Sequence, residues 1–310
     1  MDLRVDYAFK LLFASGDARH LISLLNAIFE NKQIPRIITN LTIVNPSLEK
    51  ASPEDKLSVL DVRATLADGT SLCIEMHLYD LLALKYKSLR SWARVYGEEL
   101  EAGDDYTAQS QVICISFING AVTDEAGDVI EKIHSLFQVM ERDSHEILLP
   151  DMELHYINMK AFVKYCDERP ESETDYDNFT KWLMLITQKE LKDKEAIRQI
   201  CSEGEIKDAM DTLTRLSDDK IKRQSYQRRL DQIYFYNAEA AKKDALIAKQ
   251  DTMLAKQATS LAKKDASLAK KDASLAEKDA SLAEKDASLA EKDAIIAKLM
   301  AQIKNSGLHS

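Results

Sequence analysis

Asp61, Glu75 and His77 are the residues of this chain whose type and spacing point most directly to chemistry. They lie in a stretch, Leu57 to Tyr79, that reads as a β-hairpin. Successive residues of a strand point to opposite faces. Leu60, Val62, Ala64 and Leu66 share one face of the first strand, and Leu72, Ile74, Met76 and Leu78 share the matching face of the second. The other face collects Asp61, Arg63 and Thr65 with Cys73, Glu75 and His77. Carboxylates in a β-core are costly unless they are paired or hold a metal, and here two of them converge.

The turn decides whether they meet. Asp68-Gly69 is a hairpin signal. A two-residue loop would set Asp61 against Met76 and mix the two faces. A three-residue loop, Ala67 to Gly69, sets Asp61 against Glu75, keeps both faces pure, and calls for positive φ at its last residue, which Gly69 supplies. Directly opposed Cβ atoms are roughly 4.5–5.5 Å apart. Two bare carboxylates at that distance repel. A divalent cation resolves the repulsion, and two acid oxygens beside an open hydrated position are what Mg2+ uses in phosphodiester chemistry.

The elements that must carry this hairpin follow from hydrophobic spacing. Asp6 to Phe29 has apolar residues at helical intervals, with a break expected near Gly16. Ile37 to Val44 reads as a strand ending at Asn45-Pro46. Lys85 to Ala102 reads as a helix ended by Gly103, with Leu89, Trp92, Ala93, Tyr96 and Leu100 on its apolar side. Gln111 to Ile118 is an almost unbroken apolar run, expected to be a strand covered on both faces. Leu136 to Met140 and Glu153 to Tyr156 are further strand candidates, joined through Leu149-Pro150-Asp151. The order helix, strand, hairpin, helix, strand predicts an α/β sandwich. Lys160 to Ala240 has helical periodicity, with a break around Pro170, and carries a basic cluster between Lys220 and Arg229 that most simply reads as a solvated helix face.

From residue 241 the chain becomes a seven-residue repeat, SLAKKDA and then SLAEKDA, with one large apolar residue every seven positions from Ile247 to Ile303. A seven-residue period suggests a coiled coil, and Ala, Leu, Lys and Glu favour helix strongly. The expectation is a long exposed helix that self-associates weakly. Three regions result: 1–165, 166–240 and 241–310.

Composition narrows the function classes. The 310 residues carry a formal net charge of −10, which does not suit a protein that coats nucleic acid nonspecifically. Any DNA contact needs a local basic patch or a metal. Residues 1–13 contain two acids and no long apolar run, so no signal peptide is expected. No stretch approaches the ~20 apolar residues of a membrane span. The four cysteines have no CxxC spacing, which argues against a zinc site or a disulfide framework and fits a reducing cytoplasm. His20, His134, His145 and His155 show no ligand spacing and read as structural.

In order, DYAFKLLF, LLNAIF, NP, KLSVLDVRA, IEMH, a helix with an early arginine, and VICISF resemble the Rpn family of bacterial recombination-promoting nucleases, also described as transposases, of the PD-(D/E)XK superfamily. The resemblance covers roughly residues 1–165. It implies a restriction-endonuclease-like core, a mixed sheet with flanking helices, and Mg2+-dependent (or Mn2+-dependent) cleavage of DNA. The family's first catalytic acid maps onto Asp61, and the acid of its E-x-Q/K segment onto Glu75. The third position departs from the pattern. The superfamily usually has Lys there and this family commonly Gln, whereas this chain has His77, which can orient a water or bind metal but is mostly uncharged at neutral pH.

Three further residues are candidate supports. Asp6 and Lys10 stand one helical turn apart, as a surface ion pair or with Asp6 turned toward the site. Arg90 would clamp a phosphate or pair with Glu75. The residues leave open a metal-dependent DNA endonuclease, a weakly active or non-cleaving relative that binds DNA or a protein and oligomerises through its tail, and, as a weaker third reading, a hydrolase of another phosphodiester such as RNA.

Overall fold

The computed structural model describes residues 1–15, 17–44, 62–78, 84–98, 100, 103–120, 122–123, 128–169 and 175–306. By its internal contacts the chain divides into two units, Met1–Ile233 and Tyr234–Ser310.

The first unit is built on a six-stranded mixed sheet with helices on both faces. Its strands are β1 (Leu41–Ile43), β2 (Val62–Leu66), β3 (Ser71–His77), β4 (Val112–Ile118), β7 (His134–Met140) and β8 (Ile147–Asn158), in the order β1-β2-β3-β4-β8-β7. A separate two-stranded ribbon is formed by β5 (Val122–Thr123) and β6 (Val129–Ile130). The β3–β4 and β4–β8 pairs are parallel, and the other pairs of the sheet are antiparallel.

The hairpin has the register that face purity requires. Val62 pairs with Ile74, Arg63 with Cys73 and Ala64 with Leu72. The loop is Ala67 to Gly69, closed by hydrogen bonds between Leu66 and Thr70 and from Gly69 N to Leu66 O. Gly69 has φ +87, and a Cβ there would also lie 3.1 Å from Ser110 Oγ, so both conformation and space favour glycine. Asp61, whose opposition to Glu75 the same register predicts, lies outside the described residues.

One face of the sheet is apolar. Leu72, Ile74 and Met76 of β3, Ile113, Ile115 and Phe117 of β4, and Ile157 of β8 meet α1 (Asp6–Phe13) and α2 (Ala18–Asn31) in a single core. The helical spacing of residues 6–29 is thus divided into two helices, and Asp17 caps the second by accepting from Arg19 N. The core continues through α4 (Met159–Glu168), α5 (Asn178–Thr187), α6 (Lys194–Ile200) and α7 (Gly204–Asp218). Asn158, Asp177 and Asp193 cap α4, α5 and α6 with their side-chain oxygens. Trp182 of α5 is buried against Phe13, ring centroids 5.7 Å apart. Every residue of β4 is buried, as its unbroken apolar run predicts.

Three expectations about elements need correction. The strand predicted from Ile37 contracts to three residues, and Ile37 itself is 85% exposed. Leu149-Pro150-Asp151 is not a connection. It lies inside the twelve-residue β8, and the β7–β8 turn is Glu141 to Glu146, where the Glu141 carboxylate accepts from Asp143 N and Ser144 N. Pro150 is tolerated because the β7–β8 ladder is irregular beside it, where Phe137 pairs with Leu154 but Val139 with Leu149. Finally, the helix predicted over Lys85 to Ala102 is α3 (Leu84–Gly97), and its buried residues are Leu84, Ser88, Ser91 and Val95. Trp92 and Tyr96 pack on the sheet as expected, but Leu89 is 47% exposed and Ala93 is exposed, so the buried stripe is turned from the expected one.

The last helix, α8, runs Lys220–Ser306. Within the first unit its opening turns contribute Tyr226, whose hydroxyl accepts from Asp2 N, and Arg229, which pairs with Asp6. In the second unit the repeat is helical throughout, and its leucines stand exposed.

Candidate active site

The side chains of β3 that do not enter the apolar core, Cys73, Glu75 and His77, point to the face covered by α3. The amphipathic hairpin suggests a face open to solvent, and the structure corrects this. Glu75 is only 6% exposed, because α3 lies across it. The helix is held in place by Trp92 and Tyr96, stacked with centroids 4.6 Å apart. Trp92 Nε1 donates to Val112 O at 3.0 Å, and the Tyr96 hydroxyl donates to Asp151 Oδ2 at 2.9 Å. Val95 fills the space over Cys73, Val112, Cys114 and Leu154.

Below this anchor the interface turns polar. Ser91 Oγ donates to Glu75 Oε1 at 2.9 Å. His77 Nε2 lies 2.8 Å from Glu75 Oε2, yet it is buried without a hydrogen bond of proper geometry. A protonated ring there forms an ion pair. A neutral ring with its proton on Nε2 presents that proton to the carboxylate, and only the other tautomer faces it lone pair to lone pair. Glu75 stands in register with Ser116 of β4, which stands in register with Tyr156 of β8. Ser88 Oγ is 3.3 Å from Ser116 Oγ and also hydrogen-bonds to Tyr156. A band of buried polar groups thus crosses three strands beneath α3. Burial pushes the Tyr156 phenol above its ordinary range. The Cys114 thiol is pushed well up by its hydrogen bond with Cys73 and by burial, so it stays protonated and is no nucleophile.

The structure brings Glu75 and His77 together, and Asp61 is outside the described residues. Arg90 is exposed on α3, and its neighbour Ser91 is the helix residue that reaches Glu75. Asp6 is engaged by Arg229 in a two-pronged ion pair, Nε to Oδ1 at 2.8 Å. Lys10 is half-buried on the same helix. Among the described residues no group of three or more His, Cys, Asp or Glu side chains is gathered closely enough to hold a metal ion.

The partners that sequence reasoning missed are Ser88, Ser91, Ser116 and Tyr156. Their signal was present: residues 84, 88, 91 and 95 follow the helical spacing of a buried stripe, but two of the four are serines and the stripe does not look apolar.

The family model of PD-(D/E)XK nuclease family transposases matches residues 3–243. The chain belongs to that family. The match runs beyond residue 165, taking in the helices that complete the core of the first unit and the opening of α8. The mixed α/β sheet with flanking helices is consistent with the PD-(D/E)XK fold. No curated protein and no solved structure matches the chain. Among the described residues no helix is long and apolar enough to cross a membrane.

Proposed function

We propose that this member of the family is a divalent-metal-dependent DNA endonuclease in which Asp61 and Glu75 hold the metal and His77 orients the attacking water. The observation that carries this reading is the environment of Glu75. Its carboxylate is buried, accepts a hydrogen bond from Ser91 and lies 2.8 Å from His77 Nε2. Two acid oxygens form a hard donor set of the kind Mg2+ or Mn2+ takes. When bound, the cation supplies a positive charge that polarises the scissile phosphate and acidifies water. Ser91 keeps Glu75 in one rotamer. The Arg90 guanidinium, exposed on α3, is the candidate to meet a phosphate oxygen.

The test is nicking of supercoiled plasmid by the full chain in Mg2+ or Mn2+, with chelator and with Asp61→Ala and Glu75→Gln. Metal-dependent nicking lost in both variants is the expected result. Equal cleavage by Asp61→Ala would remove the assignment. A second reading rests on the same His77 contact. His77 occupies the side of Glu75 Oε2 that a metal would need, which suits a non-cleaving relative. DNA binding without cleavage in any metal, combined with no Mg2+ or Mn2+ heat in calorimetry, would favour it.

A further inference from the structure

We propose that the second unit pairs with the tail of a second copy of this chain as a parallel, in-register two-stranded coiled coil, held by leucines and selected by lysine–aspartate pairs between copies. Three features of the repeat carry this. The first is the apolar row at seven-residue intervals from Ile247 to Ile303, whose members Leu261 to Leu289 are 57–59% exposed. A straight helix turns such a row by about 20° per heptad, or about 160° over these eight heptads. Only a left-handed supercoil around a partner keeps it on one line.

The second feature is where the charges sit. Each leucine from Leu261 to Leu289 has a lysine three residues after it and an aspartate four after it, as in Leu268, Lys271 and Asp272. In the SLAKKDA and SLAEKDA repeats no opposite charges lie three or four residues apart, the spacing that stabilises a single helix. The charges therefore do nothing for an isolated helix. On the helix surface, at 100° per residue, Lys271 and Asp272 flank the leucine row on opposite sides, at about 60° and about 40°. A two-fold axis along the coil brings the lysine flank of one copy beside the aspartate flank of the other, along both edges. An antiparallel two-fold brings lysine beside lysine and aspartate beside aspartate. Charge complementarity thus selects the parallel arrangement.

The third feature sets the register. Identical repeats tolerate a slip of seven residues, but the end of the tail does not. There the lysine and aspartate rows are replaced by Leu299 and Met300, so Ile296, Leu299 and Ile303 have the three-then-four spacing of a full apolar seam. These side chains are at least 49% exposed in a single copy. In-register pairing covers them with themselves, and a slip leaves part of them in water.

Disulfide trapping on the full chain decides orientation. Leu254→Cys and Leu289→Cys, prepared separately and oxidised mildly, are each expected to give a dimer linked through the new cysteine, identified by peptide mapping against the four native cysteines. Self-linkage at both positions is possible only for a parallel, in-register pair. Linkage only when the two variants are mixed would establish an antiparallel pair and overturn the proposal, as would a wild-type chain that sediments as a monomer or a trimer. Changing Lys264, Lys271, Lys278 and Lys285 together to Asp leaves helix and leucines in place and is expected to raise the dimer Kd at least about tenfold in low salt. An unchanged Kd would remove the lysine–aspartate pairs as the selecting element.

Discussion

Ser116 and Phe117 are neighbours on β4, and they look into two different kinds of interior. Phe117 enters a core of aliphatic and aromatic side chains, 5.5 Å from the ring of Phe9. Ser116 looks under α3, into the polar band that holds Glu75. The apolar face also contains one chain of buried polar groups that close on one another. His134 Nδ1 meets Asn31 Oδ1 at 2.8 Å, His134 Nε2 meets His155 Nδ1 at 2.9 Å, and His155 Nε2 meets Glu153 Oε2 at 3.3 Å. With Asn31 presenting its oxygen, a neutral His134 donates through Nδ1 and accepts at Nε2, so His155 donates to it. Every ring nitrogen in that chain has a partner. On the α3 face His77 Nε2 lies 2.8 Å from Glu75 Oε2 but, among the described residues, makes no hydrogen bond of proper geometry.

The sharpest break of this contrast is Glu75→Gln. The amide keeps the shape and the Ser91 hydrogen bond but loses the charge, so nicking is expected to fall by roughly a thousandfold or more, about 4 kcal/mol of barrier. The melting temperature should change little. A large loss of stability would place Glu75 with the structural networks instead. On the opposite face, Phe117→Ala is expected to cost about 3–5 kcal/mol of stability in urea unfolding, the range for emptying a buried aromatic site.

The sealed network predicts a pH dependence. Burial, with help from His155 and Lys32, holds His134 down at about 2. The unfolded chain takes up a proton near its ordinary value of about 6.5 and the folded chain does not. Stability is therefore full above about pH 6.5 and falls below it, by about 1.4 kcal/mol per pH unit for that one proton. His20, also lowered by burial, adds in the same direction. Urea midpoints between pH 7.5 and 5.5 measure this, and a flat profile would contradict a neutral buried His134. Smallest is Ser91→Ala, expected to cost about 1 kcal/mol of stability while lowering nicking more than Ser116→Ala does. Equal activity in the two variants would mean that Ser91 does not position Glu75.

The same two faces explain what could be read from residues alone. The apolar face was legible because its strands alternate or run apolar without a break. The hairpin register was legible because only one loop length keeps Leu72 and Ile74 with Val62 and Ala64, and Gly69 can take the turn. The α3 face was not. A buried serine has the same letter as an exposed one, and nothing near Ser91 in sequence names Glu75 as its acceptor. Arg90, one residue away, was the more obvious candidate. The His134–His155 contact depends on how β7 lies against β8, and the proline at 150 pointed to a turn where the chain continues as strand. Asp6 was read against Lys10, its neighbour one turn on, because a partner on α8 leaves no local trace.

That partner has a consequence for how the protein is made. Asp6 and Arg229 are 223 residues apart. At about 5–20 residues per second, a ribosome needs roughly 10–45 s between adding the first and adding the second. The strands and helix around Glu75 all lie between residues 62 and 158, so the polar band is synthesised well before Arg229 is. For that interval α1 waits without α7 or Arg229, its phenylalanines a surface for any chaperone at the tunnel exit. A chain interrupted before Arg229 would carry every side chain proposed for the chemistry and lack the last contact that holds its first helix down.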